Sequence, residues 1–193
     1  IQVMQADQYQ PKTHDHVLWY ISSGLLMVYH DPRRFGLMTI CEASQLENHS
    51  LLARLGPEPL SNYFHADYLV SKLRERQCAV KLAIMDQVVV VGVGNIYACE
   101  ALYMSGVNPL MEGKKAAKYA DKLVASIRQV LESAIESGGS TLRDYVRSTG
   151  DSGYFQHNFQ VYGREGEDCF ACGAKIIRVT QGGRSTFFCN KCQ

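Results

Sequence analysis

Two Cys-x-x-Cys knuckles near the C-terminal end constrain this chain more than any other feature. They are Cys169–Cys172 and Cys189–Cys192, with sixteen residues between them. Two such pairs on neighbouring strand ends can set four thiolates tetrahedrally around one Zn²⁺, at about 2.3 Å each. The interval suits a single hairpin, with expected strands Lys175–Val179 and Arg184–Phe188 around the turn Gln181-Gly182-Gly183. Redox or merely buried cysteines are the competing reading, and the hairpin between the pairs favours metal. A four-cysteine shell is coordinatively closed, so the zinc is expected to fold the module rather than do chemistry. The other cysteines, Cys41, Cys78 and Cys99, are scattered and odd in number. The pattern is that of a metal site in a reducing, cytoplasmic compartment, not a disulfide framework.

The rest of the chain limits what such a finger could serve. With 193 residues, 46% hydrophobic and 20% charged, the sequence reads as an ordinary globular protein of one to three modules. Val88–Val91 is cut at once by Gly92 and Gly94, far short of the roughly 20 apolar residues that span a bilayer. A membrane role is therefore not expected. The net charge of +1 excludes a general DNA-coating protein. Nucleic acid, if bound, must be held by a few placed cations. The chain opens on Ile1 in an apolar–polar alternation, which reads as a strand entered partway, with the true N-terminus expected upstream.

Three regions are expected. Residues 1–54 read as β structure: Val17–Ile21 and Leu25–Tyr29 flank the turn Ser22-Ser23-Gly24, and Leu37–Ile40 is expected to resume a strand after Asp31–Gly36. The two prolines of Leu55-Gly56-Pro57-Glu58-Pro59-Leu60 mark a boundary, and residues 55–150 read as helical. Lys114–Ser137 carries Leu123, Val124, Ile127, Val130, Leu131, Ala134 and Ile135 at helical spacing. A shorter helix, Ile96–Met104, is expected after Gly92-Val93-Gly94-Asn95, and another, Thr141–Arg147, after an N-cap at Ser140. Residues 151–193 read as a polar loop followed by the finger.

Several candidate binding residues have a bland reading beside a sharper one. Arg184 follows the Gly182-Gly183 turn and is either a solvated turn arginine or a probe aimed at nucleic acid. Arg33-Arg34-Phe35 is either an ordinary turn with a core Phe or an exposed wedge. Lys72, Arg74, Arg76 and Lys81 form a positive run of the kind that is usually a solvated helix face, and His14 alone reads as a surface or strand histidine. Asn95 opens a helix, where free N–H groups and the helix dipole favour an anion.

Taken in order, these stretches resemble the formamidopyrimidine-DNA glycosylases. The resemblance rests on His14-Asp15-His16-Val17, Asp31-Pro32-Arg33-Arg34-Phe35-Gly36, Leu55–Leu60, and Lys81–Glu100 with its Gly92-Val93-Gly94-Asn95-Ile96-Tyr97 string. It continues through Tyr162-Gly163-Arg164 to Gly183–Gln193, and so covers essentially the whole chain. It implies a multidomain α+β fold: the remnant of an N-terminal β-sandwich, a helix-two-turns-helix domain and a C-terminal β-hairpin zinc finger. The implied activity is removal of oxidised purines from damaged double-stranded DNA by a monomer, followed by β,δ-elimination at the abasic site.

The family's nucleophile is an N-terminal proline, assisted by a glutamate and a lysine. None of these lies in the sequence, because Pro11, the first proline, carries its nitrogen in an amide. The resemblance assigns DNA contacts to His14, Arg33, Phe35, Arg76, Lys81 and Asn95, a role in the second elimination to Arg184, and zinc to Cys169, Cys172, Cys189 and Cys192. It also makes Ser148–Gln156 a cap over the extruded base. Two alternatives remain open at this point: an endonuclease VIII-like enzyme for oxidised pyrimidines, against which the Arg33–Phe35 turn argues, and a non-catalytic zinc-ribbon paralogue.

Overall fold

The computed structural model describes residues 1–138 and 159–193. The expected helix at 141–147 and the expected cap at 148–156 lie outside the described residues. Chain order is β1 (Gln2–Gln5), β2 (Asp15–Tyr20), β3 (Leu25–His30), then α1 (Ala66–Leu73), α2 (Val80–Ile84), α3 (Asn95–Ser105), α4 (Gly113–Ala116) and α5 (Ala120–Glu136), then β4 (Ile177–Gln181) and β5 (Arg184–Phe188). This is the mixed α+β architecture expected from the sequence.

In the first region β3 sits between β1 and β2 in an antiparallel sheet, with Val28 opposite both Gln2 and Leu18. Leu26 and Val28 are buried and alternate with partly exposed neighbours, as one covered sheet face requires. Gly24, at φ 81°, makes the tight return between β2 and β3. One expectation fails here: Leu37–Ile40 forms no strand. A strand is held by a neighbour's backbone, and none pairs with this stretch among the described residues, so Ile40 stands 97% exposed.

The helical region carries the main core. Phe64, Leu69, Leu73, Ile84, Leu102, Leu123 and Ile127 are its large buried members. The helical period of residues 123–134 faces this core as expected, whereas Ile135 points out at 65% exposure. The single expected helix from Lys114 is broken by a 3-10 turn at Ala117–Tyr119. The helix expected at Ile96–Met104 is α3, capped at its C-terminal end by Gly106 in the left-handed region at φ 68°. Asp86 organises the turn between α2 and α3 by accepting from the Val88 N–H at 3.0 Å.

The last region is a two-stranded finger packed on α3. Gln181 pairs with Arg184 across Gly182 and Gly183, both at positive φ, the geometry that joins strands with two residues. β5 falls where expected, whereas β4 starts two residues later. Lys175 and Ile176 pair back onto Asp168 and Glu167 of the first knuckle instead of onto β5.

Candidate functional site

The four cysteines converge. Their sulfurs all lie within 4.8 Å of one another, with Cys169–Cys192 at 3.9 Å and Cys172–Cys189 at 3.5 Å. A tetrahedral zinc–thiolate centre with bonds of about 2.3 Å needs sulfurs about 3.8 Å apart, so this donor set fits one Zn²⁺. Burial alone would raise the Cys169 thiol. The Tyr103 hydroxyl, 3.2 Å from its sulfur, and the backbone N–H groups of Ala171 and Cys172 outweigh that and bring it below the ordinary thiol range. Tyr103 itself is pushed up, first by burial and then by this contact.

Arg184 is exposed at the finger tip, while Thr186, Phe187 and Phe188 behind it are buried. The strand that carries Arg184 is pinned to α3: Asn95 donates its side-chain amide to the Ser185 carbonyl at 2.9 Å. Beneath both lies Lys81, 0% exposed, whose ammonium donates to Asn95 Oδ1 at 2.5 Å, Thr186 Oγ1 at 2.7 Å and the Ser185 carbonyl at 3.3 Å. Lysine has three N–H donors, and all three are used inside the protein. Lys81 therefore offers no donor to a phosphate in this conformation, a departure from the direct contact that the resemblance implied. Burial, reinforced by the Arg184 charge, lowers its pKa.

Arg76 is half-buried and donates to Asp86 at 2.7 Å, which anchors one edge of its five-donor fork beside the α2–α3 turn. His14 is exposed and sits at φ 81°, a left-handed conformation that costs a non-glycine residue. Arg33 and Phe35 lie far from the finger in sequence and are both exposed, with Phe35 at 79%. The Arg33 guanidinium stands over the Phe35 ring, 4.9 Å from its centroid. Phe35 is thus not the core residue of the bland reading.

One carboxylate holds this loop. Asp31 accepts from the Gly36 N–H at 2.7 Å and the Tyr29 hydroxyl at 3.1 Å. The Gly36 N–H, followed by Tyr29 and the Arg33 and Arg34 N–H groups, keeps its pKa below the carboxylate norm. A Cβ at Gly36 would overlap the Tyr29 hydroxyl, so a larger residue there would have to push the Tyr29 ring aside.

Sequence reasoning missed Glu100. It is buried on α3 and accepts three backbone N–H groups, from Gln160 at 2.8 Å, Val161 at 3.0 Å and Tyr162 at 2.8 Å. Burial pushes its carboxyl up despite those bonds. It fastens the start of the C-terminal region to the same helix that carries Asn95. A lone glutamate at this place gives no sequence signal, because its partners are backbone groups 60 to 62 residues away.

A helical module with a glycine-opened α3, clasping a four-cysteine finger, defines a helix-two-turns-helix protein with a zinc finger. Known proteins agree. The family model for the formamidopyrimidine-DNA glycosylase H2TH domain matches residues 55–146, and that for the zinc finger found in FPG and IleRS matches residues 166–193. The formamidopyrimidine-DNA glycosylase of a Ruegeria species is 49% identical over 187 residues, 95% of this chain and 66% of the relative. That of Rhodospirillum rubrum is 48% identical over 191 residues, 95% of this chain and 68% of the relative.

The crystal structure of MutM (Fpg) from Thermus thermophilus superposes with a TM-score of 0.86 at 39% identity, over 95% of this chain and 70% of that one. A complex of Lactococcus lactis Fpg with DNA containing an abasic site gives 0.87 at 34% identity, over 100% of this chain and 70% of that one. The chain belongs to the formamidopyrimidine-DNA glycosylase family, and spans about two thirds of the length of the curated relatives it matches. Among the described residues no helix is long and apolar enough to cross a membrane.

Proposed function

We propose that this chain is the DNA grip of a monomeric base-excision repair enzyme that removes oxidised purines, 8-oxoguanine and formamidopyrimidines, and then cleaves the abasic site by β,δ-elimination. Such an enzyme must take its target base out of the stack, which opens a gap in the duplex and kinks it. In this reading Phe35 enters the gap and Arg33 donates to the orphaned partner base. His14, Arg76, Asn95 and Arg184 hold phosphates, and Lys81 acts by fixing Asn95 and the finger strand in register. The guanidinium of Arg184 suits the phosphate released in the second elimination, which it can hold by paired hydrogen bonds.

The observation that carries the reading is the lock of Ser185 onto Asn95 and Lys81. It sets an exposed arginine beside the open N-terminus of α3, where backbone N–H groups and the helix dipole attract an anion. All five prolines here carry amide nitrogens, so none of them is the attacking amine. Zinc, when bound, supplies the cross-link that holds the finger and no reactive ligand position.

The test is borohydride trapping with the full-length protein on duplexes carrying 8-oxoguanine or thymine glycol. A covalent adduct formed faster on 8-oxoguanine is expected. Preference for thymine glycol would assign the protein to oxidised pyrimidines, and binding without any adduct would make it non-catalytic.

A further inference from the structure

Tyr103 lies in the last turn of α3, and its ring packs with Cys99, Val161, Ile176 and Phe187 in the small core beneath the finger. Its hydroxyl reaches the sulfur of Cys169 at 3.2 Å. In a thiol form either atom could donate. Metal binding removes that ambiguity, because a zinc-ligating cysteine is a thiolate with no proton to give. The hydroxyl must then be the donor. Four thiolates on Zn²⁺ leave two net negative charges in a half-buried site, so a donor aimed at one sulfur lowers the cost of holding them.

We propose that Tyr103 is a positioning residue for the zinc centre, donating a hydrogen bond to the Cys169 thiolate that tightens metal binding and ties the finger to α3. The same helix carries Asn95 at its first residue, eight positions and so about 12 Å away. Metal retention and the seating of the phosphate grip are thereby coupled through one rigid element. The inference stands on the four-cysteine site and is independent of which lesion the protein removes.

Outer-sphere partners of metal ligands are typically worth about 10- to 100-fold in affinity. Tyr103→Phe keeps the ring and removes only the donor. In the full-length zinc-loaded protein, competition with a chromogenic chelator should show metal binding weakened by about that factor. A packing defect could weaken binding too, so the second readout is electronic. In the Co²⁺-substituted protein the sulfur-to-cobalt charge-transfer band should move to lower energy in Tyr103→Phe, because a thiolate without its donor is richer in electrons.

Weaker binding together with the shifted band supports the proposal. Unchanged affinity, or weaker binding with an unmoved band, overturns it. Should the variant fail to fold, ¹¹³Cd-loaded wild-type protein decides the matter. Scalar coupling between the metal and the Tyr103 hydroxyl proton is expected across the hydrogen bond, and its absence counts against the donor role.

Discussion

The finger and the Asp31–Gly36 loop each offer an arginine to solvent, yet they are held in opposite ways. Arg184 stands on a strand whose far end, Thr186–Phe188, is buried, pinned by Asn95, Lys81 and a four-sulfur site. Arg33 and Phe35 stand on a loop held chiefly through one surface carboxylate, with the aromatic ring bare to water. The difference fits the two jobs proposed for them. A phosphate clamp gains from preorganisation, since ordering cost is met during folding rather than on binding. A wedge has to be exposed and able to enter a gap that exists only once the duplex has opened. Substitutions of the groups that pin the finger should therefore damage folding and binding together, while those of Arg33 and Phe35 should damage binding alone.

The largest effect is expected from Cys189→Ser. Three thiolates do not close the site, and losing the finger takes Arg184 and the Asn95–Ser185 lock with it. At about 1.5–3 kcal/mol for each charge-assisted contact, affinity for an abasic-site duplex should fall about 100-fold or more. Metal analysis beside a DNA titration checks this, and full affinity without zinc would break the finger's half of the comparison.

Next comes Lys81→Met, which leaves Asn95 Oδ1 without its donor and takes one accepted bond each from the Ser185 carbonyl and the Thr186 hydroxyl, the latter keeping its own bond to Gln181 Oε1. Unfolding free energy should drop by about 3 kcal/mol. The dependence of DNA affinity on salt should nevertheless keep its slope, since all three donors of this lysine are taken up inside the protein. Arg184→Ala should do the reverse, with stability nearly unchanged and the slope lowered by about one. It should also slow strand cleavage more than base removal in single-turnover assays. A reduced slope for Lys81→Met would return Lys81 to the phosphate contacts.

Phe35→Ala is expected to leave the melting temperature unmoved, because the ring is already in water. Affinity for the gapped duplex should weaken by about 1–3 kcal/mol, the scale of one base–aromatic stack. Equal loss on undamaged DNA would mean that the ring does not sense the gap.

The smallest effect concerns acid. The Asp31 carboxyl is held below its unfolded value, first by the Gly36 N–H. Its stabilising contribution is therefore complete above about pH 3.9 and fades as pH falls through the lower folded value. A carbon-detected titration should place its midpoint below that of a model peptide. A midpoint at or above the model value would remove the anchor assigned to the loop.

The sequence reveals those parts of this molecule that are written locally. Paired cysteines, the Gly182-Gly183 turn, the Gly24 return and the period of α5 each occupy one short window, and the structure places each near where that window says. What escapes is tertiary. Lys81 looks like one more cation in a basic run until Ser185 and Thr186, 104 and 105 residues on, close over it. Glu100 and Tyr103 acquire their partners from residues 160–162 and from Cys169. The missing strand at 37–40 teaches the same point from the other side. Its residues have strand character, but a strand is a relation between two segments, and among the described residues no second segment supplies the ladder.

One duplex touched at once by the rigid clamp and the exposed wedge is the centre of this account. The most direct measurement is a crystal structure of the full-length protein on DNA containing an abasic site. Phe35 should fill the space beside the missing base, while Arg184 and the N-terminus of α3 lie on phosphates flanking that same nucleotide. Finding Phe35 and Arg184 on separate surfaces, with only one of them against the DNA, would contradict it.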